Sequence, residues 1–178
     1  MEKSGKLAFE ALGEGALLLA IGAIGWAAHQ PLVFASLGPT AYEQVDQPHS
    51  KSSRPYNVLI GHLVGLGAGF LAVYIFNAWN EPKVLSTGTI TAARLWAIVV
   101  SVLLTTLGTM LLKAKQPAAT ATTLLVALGS MQTTRDALAI IAGVVLITIL
   151  GEPLRRVRAR QKAPEKPEKS NEQVRLVA

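Results

Sequence analysis

The stretch from Asn57 to Trp79 reads NVLIGHLVGLGAGFLAVYIFNAW and contains no acidic residue, lysine or arginine. A helix of this length can cross the hydrocarbon core of a bilayer, which needs about 20 consecutive apolar residues. Three further stretches, residues 7–28, 92–112 and 136–154, have the same character. Together with residues 57–79 they predict an all-α membrane protein with four transmembrane helices.

The composition supports this fold class and excludes several kinds of site. Hydrophobic residues make up 51% of the 178 residues, and the region after Arg155 is mostly polar, so the rest of the chain is strongly apolar. A soluble domain of this size cannot hide four such helices in one core. The sequence has no cysteine, phosphate-binding loop, catalytic triad order or metal motif. We therefore expect no enzyme activity, no cofactor and no metal.

Basic residues indicate the orientation in the membrane. The net charge is +6, and five basic residues directly follow the last apolar stretch: Arg155, Arg156, Arg158, Arg160 and Lys162. Cytoplasmic segments are rich in Lys and Arg, so the run predicts a cytoplasmic C-terminus rather than a nucleic acid site. Four crossings place the N-terminus on the same side. We expect a transmembrane domain at residues 1–155 of a bacterial plasma membrane protein, and a basic, disordered tail at 156–178.

Two apolar segments, residues 30–44 and 116–129, are too short to cross the bilayer as helices. Each follows a long span closely and begins with a Gln-Pro pair, in which Pro31 or Pro117 suits the first position of a helix. Backbone at membrane depth that does not span must be buried in protein or line a cavity. We predict that both segments are re-entrant half-helices.

The two halves of the chain resemble each other. Gln30 and Gln116 are separated by 86 positions, and the same spacing aligns Ser36 with Thr122. The sequence therefore predicts two tandem repeats of span, short segment and span, with chance similarity between two loops of small residues as the alternative. Paired broken segments in two repeats indicate a transport site. Helix N-termini attract anions through free amide groups and a partial positive charge.

Polar residues of the short segments and of the second span are candidate site residues. The candidates for substrate binding are Gln30, Ser36, Gly38, Thr40, Asn57, His62, Gln116, Thr120 and Thr122. Arg54, Lys115 and Arg135 are expected at the mouths, either as a cationic funnel for anions or as ordinary loop charges. His62 lies inside a span, where it either carries a proton and attracts an anion or is a neutral histidine bonded to a hydroxyl or carbonyl group.

Small and hydroxylated residues form two stripes on the middle spans. Gly61, Gly65 and Gly69 recur every four residues and allow another backbone to approach closely. The partner is either a helix of the same chain, the wall of a pore or a second subunit, and we expect a homo-oligomer. Ser101 and Thr105 begin a similar stripe on the third span, where hydroxyl groups are expected to bond carbonyls of their own helix.

Charged residues near the span ends have local explanations. Glu10 follows Lys6 by one helical turn and can pair with it. Glu152 precedes Arg155 by three residues, which favours a local ion pair. Arg94, at the start of the third span, is expected to extend outward to the membrane surface.

Residues 33–41 (VFASLGPTA), 46–48 (DQP) and 54–62 (RPYNVLIGH) resemble the HPP family of integral membrane proteins. That family has four spans, and the resemblance covers about residues 7–155. Where its His-Pro-Pro signature stands, this chain reads Lys115-Gln116-Pro117.

Some members of the family are identified as nitrite transporters of chloroplasts and cyanobacteria. The resemblance therefore implies a transporter or channel for a small inorganic anion similar to nitrite. Its expected partners are the lipid bilayer and that anion, not nucleic acid. The alternative is a membrane scaffold or assembly partner that has no substrate path.

Overall fold

A computed structural model describes residues 2–162, and their regular secondary structure is helical throughout. Four helices are long and apolar enough to cross a membrane, as the sequence predicts. They are α1 (Glu2–Ala27), α3 (Pro55–Ile75), α5 (Ala92–Leu111) and α7 (Thr134–Gln161). The shorter helices are α2 (Leu37–Asp46), α4 (Val84–Thr87), α6 (Ala118–Ala127) and a 3-10 turn at Ala78–Asn80.

The helix α7 is longer than predicted. It continues through the basic run to Gln161, so the first residues of the predicted disordered tail, residues 156–178, are helical. Arg158 accounts for the extension, because its buried guanidinium donates a hydrogen bond to the carbonyl of Val45 and anchors this last turn. The rest of the predicted tail, residues 163–178, lies outside the described residues.

Ion pairs connect the start of α1 and the end of α2 to the end of α7. Glu10 accepts a hydrogen bond of 2.5 Å from Arg158. The fold brings α7 beside Glu10, whereas the side chain of Lys6, its predicted partner, lies outside the described part of the chain. The predicted pair of Glu152 with Arg155 is confirmed at 2.7 Å.

The helix α2 begins later than the position of Pro31 predicts. Residues 31–34 are irregular and 35–36 form a turn, so Pro31 does not start a helix. Gly38 and Pro39 lie instead in the first turn of α2, where proline needs no hydrogen bond from its nitrogen. The start of α6 agrees with the prediction, because Pro117 is the residue that precedes its first turn.

The two helices of 10 residues, α2 and α6, which we call the short helices, each pack between two long ones. The helix α2 contacts α1 and α7, whereas α6 contacts α3 and α5, and α3 and α7 contact each other. Each short helix therefore packs against a long helix from the opposite half of the chain. The core between these elements is aliphatic, with Ile21, Leu37, Val58, Ile140 and Ile147 almost fully buried.

The first short segment extends from one end of the bundle to the other. Gln30 accepts a hydrogen bond from Arg135, near the start of α7. Val45 accepts one from Arg158, near the end of α7. At a rise of about 1.5 Å per residue, roughly 35 Å of helix separates these two arginines.

The second short segment behaves in the same way. The carbonyl of Lys115 accepts a hydrogen bond from Asn57, near the start of α3. At the other end, the carbonyl of Ala127 accepts one from Arg94, near the start of α5. Since α5 ends close to Lys115, these two contacts lie at opposite ends of α5.

These contacts correct the prediction of re-entrant half-helices, because a re-entrant segment enters and leaves by the same face. A segment of this length is too short to cross only if it is helical throughout. The segment before α2 is not helical, and an extended chain advances up to about 3.3–3.6 Å per residue, more than twice the rise of a helix. A short segment therefore reaches across the bundle.

Because both short segments cross the bundle, each loop and its charged residues lie at one of the two ends of the bundle. We call the end formed by residues 47–54, 112–115 and 155–162 the basic end. It carries Lys51, Arg54, Lys113, Lys115, Arg155, Arg156, Arg158, Arg160 and Lys162. The opposite end, formed by residues 28–30, 76–91 and 128–135, carries Lys83 and Arg135, and the guanidinium of Arg94 reaches it from the first turn of α5.

The glycine stripe of α3 faces α6 of the same chain. A Cβ atom on Gly61 would lie 2.5 Å from the Cβ of Gln116, and one on Gly65 would lie 2.5 Å from the carbonyl oxygen of Ala119. Of the three partners that the sequence left open, the intramolecular helix is therefore the one observed. The close approach places the polar residues of α6 directly against α3.

Candidate functional site

Four of the predicted site residues meet in the middle of the bundle, and we call them the central cluster: Ser36, Thr40, His62 and Thr122. The imidazole Nε2 of His62 lies 3.0 Å from Thr40 Oγ1, and its Nδ1 lies 2.7 Å from Thr122 Oγ1. Ser36 Oγ is 2.7 Å from the same Thr122 oxygen. All four side chains are buried.

Three helices position this cluster. Ser36 directly precedes α2, and Thr40 lies one turn later, where its hydroxyl also donates to the carbonyl of Ser36. His62 lies on α3 between the glycines that let α6 approach, and α6 supplies Thr122. Since both ring nitrogens of His62 have a hydroxyl partner, a neutral imidazole is satisfied here as one donor and one acceptor. The hydroxyl-bonded alternative for His62 is thus the one observed.

A second group of hydroxyls fastens α5 to α6. Thr105 Oγ1 lies 2.7 Å from Thr123 Oγ1, and the Thr123 hydroxyl is also 3.1 Å from the carbonyl of Gly65. The hydroxyls of Ser101, Thr105 and Thr109 bond carbonyls of their own helix, as predicted. These residues contribute to packing.

An open groove of about 280 Å³ lies between α5 and the start of α6. Three predicted site residues line it, Lys115, Gln116 and Thr120. The remaining lining residues are Thr105, Thr106, Thr109, Met110 and Pro117. The groove therefore combines hydroxyl groups, one amide and one lysine at the N-terminus of a helix, where the helix dipole favours negative charge.

Glu43, which the sequence analysis did not select, lies between the groove and the basic end. It is 9% exposed, and its carboxyl lies beside the side chains of Ser52 and Gln116. Among the described residues, Glu43 Oε2 and both polar atoms of the Gln116 amide have no hydrogen-bond partner of normal geometry. A carboxylate inside an apolar segment is itself the signal that identifies Glu43, because such groups are costly in a membrane.

Arg94 is also buried, in contrast to the expected outward extension. Its guanidinium donates to the carbonyls of Glu81, Pro82 and Ala127 and to the side chain of Gln132. These bonds close the C-terminal end of α6, where a cation is favourable to the helix dipole. Arg94 therefore organises the opposite end of the bundle.

The other predicted site residues do not join the central cluster. Gln30 bonds Arg135 at the opposite end. Asn57 bonds the backbone of Lys115 at the basic end, and nothing lies within 4 Å of a Cβ built on Gly38. Of the three expected mouth charges, Arg54 and Lys115 lie at the basic end and Arg135 at the opposite one. They do not form one funnel.

The described residues include no group of three His, Asp or Glu side chains that could hold a metal ion. The polar groups of the central cluster and the groove are instead hydroxyls, amides, one imidazole, one lysine and the nearby carboxyl of Glu43.

Comparison with known proteins gives one match. The family model described as HPP, transmembrane region, covers residues 2–164. Among curated proteins and among solved structures, none matches the chain. The family match spans nearly the whole chain, and the four long apolar helices agree with it. The chain belongs to the HPP family of transmembrane proteins.

Proposed function

We propose that this protein moves a small inorganic anion, such as nitrite, across the membrane, and that the anion binds in the groove between α5 and α6. The groove itself carries the proposal, because it joins an open volume to the N-terminus of α6. The unpartnered amide of Gln116 is a second observation that supports a ligand there. The choice of nitrite rests on the resemblance to family members.

The groove has a chemistry suited to weak anion binding. The hydroxyls of Thr106 and Thr120 and the amide of Gln116 can donate hydrogen bonds to an anion. Lys115 raises the local anion concentration from the mouth through its charge. Binding in a transport path must be favourable enough for entry and weak enough for release, which hydroxyl and amide donors provide.

The arrangement of charges supports both termini being cytoplasmic. The Lys and Arg residues of the described chain concentrate at the basic end, where the N-terminal part of α1 and the end of α7 meet. Since cytoplasmic segments are enriched in these residues, we assign the basic end to the cytoplasm. The groove at Lys115 then opens toward the cytoplasm.

A scaffold without a substrate path is the second candidate. The central cluster favours it, because its hydroxyl and imidazole groups bond one another and leave His62 fully satisfied. Uptake of nitrite into liposomes that contain only the purified protein distinguishes the two functions. We expect uptake above the leak of protein-free liposomes, and uptake equal to that leak would favour the scaffold.

A pair of threonine variants locates the path. Thr120→Val removes a hydroxyl that lines the groove and keeps a similar volume. Thr148→Val is the control, because the Thr148 hydroxyl bonds the carbonyl of Val144 on its own helix. We expect slower nitrite uptake in the first variant alone, and equal uptake in both would place the anion elsewhere.

A further inference from the structure

Glu43 and Gln116 form a buried polar pair between α2 and the start of α6. Glu43 is 9% exposed and Gln116 is 4% exposed. Their side chains lie next to each other, yet the Gln116 amide and Glu43 Oε2 have no partner of normal hydrogen-bond geometry within the described chain. Buried polar groups are rarely left unsatisfied, so this pair calls for a ligand or a proton.

Among the described side chains, the ion pairs on the elements around Glu43 do not include Glu43 itself. These contacts are Glu10 with Arg158, Asp46 with Lys162, and Glu152 with Arg155 and Arg156, while Glu14 lies near Asp46. On α3, His62 is bonded to Thr40 and Thr122. Lys115 is exposed at the groove mouth. Ser52 and Gln116 are therefore the polar neighbours of the Glu43 carboxyl.

Gln116 belongs to two environments. One side of its side chain lies beside Glu43, and the residue also lines the groove with Lys115 and Thr120. A primary amide has a carbonyl oxygen that accepts hydrogen bonds and an NH₂ group that donates them. If the Gln116 amide turns its oxygen toward Glu43, its NH₂ group faces the groove. If it turns its NH₂ group toward Glu43, its oxygen faces the groove.

We propose that Glu43 is a proton-binding site and that Gln116 couples the proton on Glu43 to the anion in the groove. The inference rests on the proposed function and adds the coupling ion to it. Protonated Glu43 donates its hydrogen to the Gln116 oxygen, which leaves the amide NH₂ to donate to an anion. Deprotonated Glu43 accepts from that NH₂ group, so the carbonyl oxygen faces the groove and repels an anion.

The coupling is reciprocal by thermodynamic necessity. A proton on Glu43 raises the affinity of the groove for the anion, and the anion raises the affinity of Glu43 for the proton by the same factor. One proton then accompanies one monovalent anion. The proton enters from water, resides on the Glu43 carboxyl and leaves to water with the anion, so the cycle is electrically neutral.

Two simultaneous measurements on the full-length protein in liposomes test the proposal. Nitrite uptake is measured from mildly acidic to mildly alkaline pH, and a trapped pH indicator reports proton entry. After correction for the leak of protein-free liposomes, we expect one proton per nitrite. We also expect uptake to fall about tenfold per pH unit above the titration of Glu43, since each transport event needs one proton.

Glu43→Gln mimics the protonated carboxyl, because its amide can donate to the Gln116 oxygen. We expect this variant to bind nitrite with no pH dependence and to carry no protons. Glu14→Gln is the matched control, a half-buried carboxylate on α1 near the same end, and it should retain the pH dependence. Gln116→Met keeps the volume, removes both amide groups and should lose the coupling.

The outcomes separate this proposal from the proposed function. Nitrite uptake without proton entry overturns the coupling alone, and so does a Glu43→Gln variant with the pH profile of the wild type. A loss of pH dependence in Glu14→Gln but not in Glu43→Gln also overturns it. If the wild type takes up no nitrite, both the proposed function and the coupling are wrong. The proton-to-nitrite ratio of the wild type decides even if a variant fails to fold.

Discussion

Ser36 and Thr122 are 86 positions apart in the chain, and their side-chain oxygens lie 2.7 Å apart in the fold. The same spacing aligns these two residues in the predicted repeat. If a twofold axis relates the two repeats, equivalent residues that lie close to this axis can contact each other. The packing has the corresponding form, because α2 contacts α7 of the second half and α6 contacts α3 of the first. The tandem repeat remains a prediction, and this contact is the feature of the fold that best agrees with it.

Removing one hydroxyl from the central cluster should destabilise the protein. Thr122→Val keeps the shape of the side chain but leaves His62 Nδ1 and Ser36 Oγ each without a buried partner. The penalty for such groups is about 1–3 kcal/mol. Thermal unfolding in detergent measures it, with Thr148→Val as a control that loses only a bond within its own helix. Equal melting temperatures for the two variants would contradict the role of the cluster.

Replacing a glycine of α3 by alanine should destabilise the protein only where the glycine faces α6. Gly65→Ala places a Cβ atom 2.5 Å from the carbonyl oxygen of Ala119, whereas nothing lies within 4 Å of a Cβ on Gly67. We expect Gly65→Ala to cost about 1–3 kcal/mol of stability, as overpacking does. Gly67→Ala should be neutral or stabilising, because alanine favours helices over glycine. A reversed order of melting temperatures would show that α6 does not pack on this stripe.

The sequence predicted the part of the site that depends on residue type and spacing. Ser36, Thr40 and Thr122 were selected as small polar residues of the short segments and His62 as an ionisable residue inside a span, and the four side chains do meet. The four long spans followed from hydropathy alone. Both inferences use local properties that the fold preserves.

The sequence did not predict features that depend on the path of the chain between helices. Residues 30–44 are too short to cross as a continuous helix, but the irregular stretch at residues 31–34 lets the segment cross. Glu43 was overlooked because it lies beside Gln44 and Asp46 at the polar end of the short segment, and its relation to Gln116 requires α2 and α6 to be placed. Arg94 was expected to extend to the membrane surface, because the carbonyl groups that it bonds are distant in the sequence and become its neighbours only in the fold.

The ion pair between Arg158 and Glu10 should contribute more to the free energy of unfolding than an exposed ion pair does. Arg158 is 4% exposed and bonds both Glu10 and the carbonyl of Val45. Arg158→Met leaves Glu10 with only Lys162, whose Nζ lies 3.9 Å from the carboxylate, and breaking a buried pair typically costs up to about 3–5 kcal/mol. Arg156→Met is the control, because its side chain is 71% exposed and its pair with Glu152 should contribute about 0–1 kcal/mol. Comparable unfolding temperatures would show that the end of α7 does not depend on Arg158.

Lys115 should act on nitrite uptake through its charge. Lys115→Gln removes a cation from the groove mouth, and screening confines that effect to about 8–10 Å at moderate salt. We expect slower uptake at low salt and little change at high salt. Arg135→Gln, at the opposite end, is the comparison, because Arg135 already bonds the side chain of Gln30. A loss that is equal at all salt concentrations would mean that Lys115 holds the anion directly.

The sides on which the loops lie distinguish the observed path of the chain from the predicted one. The chain has no cysteine, so single cysteines can report accessibility without a background. Lys51 and Ser86 are both exposed. Lys51 lies in the loop whose Pro48 carbonyl bonds Arg155 near the end of α7, and Ser86 lies at the opposite end.

With the basic end in the cytoplasm, Lys51→Cys should be labelled by a membrane-impermeant thiol reagent only in opened cells. Ser86→Cys should be labelled in intact cells, because it lies at the other end of the bundle. A chain with four crossings and re-entrant short segments gives the reverse result at both positions, since residues 42–56 then face outward and residues 80–91 face the cytoplasm. Labelling of both cysteines in intact cells would contradict both paths, because each path places the two residues on opposite sides of the membrane. Because the reagent reads the two loops independently, the pair also checks the orientation that the basic residues imply.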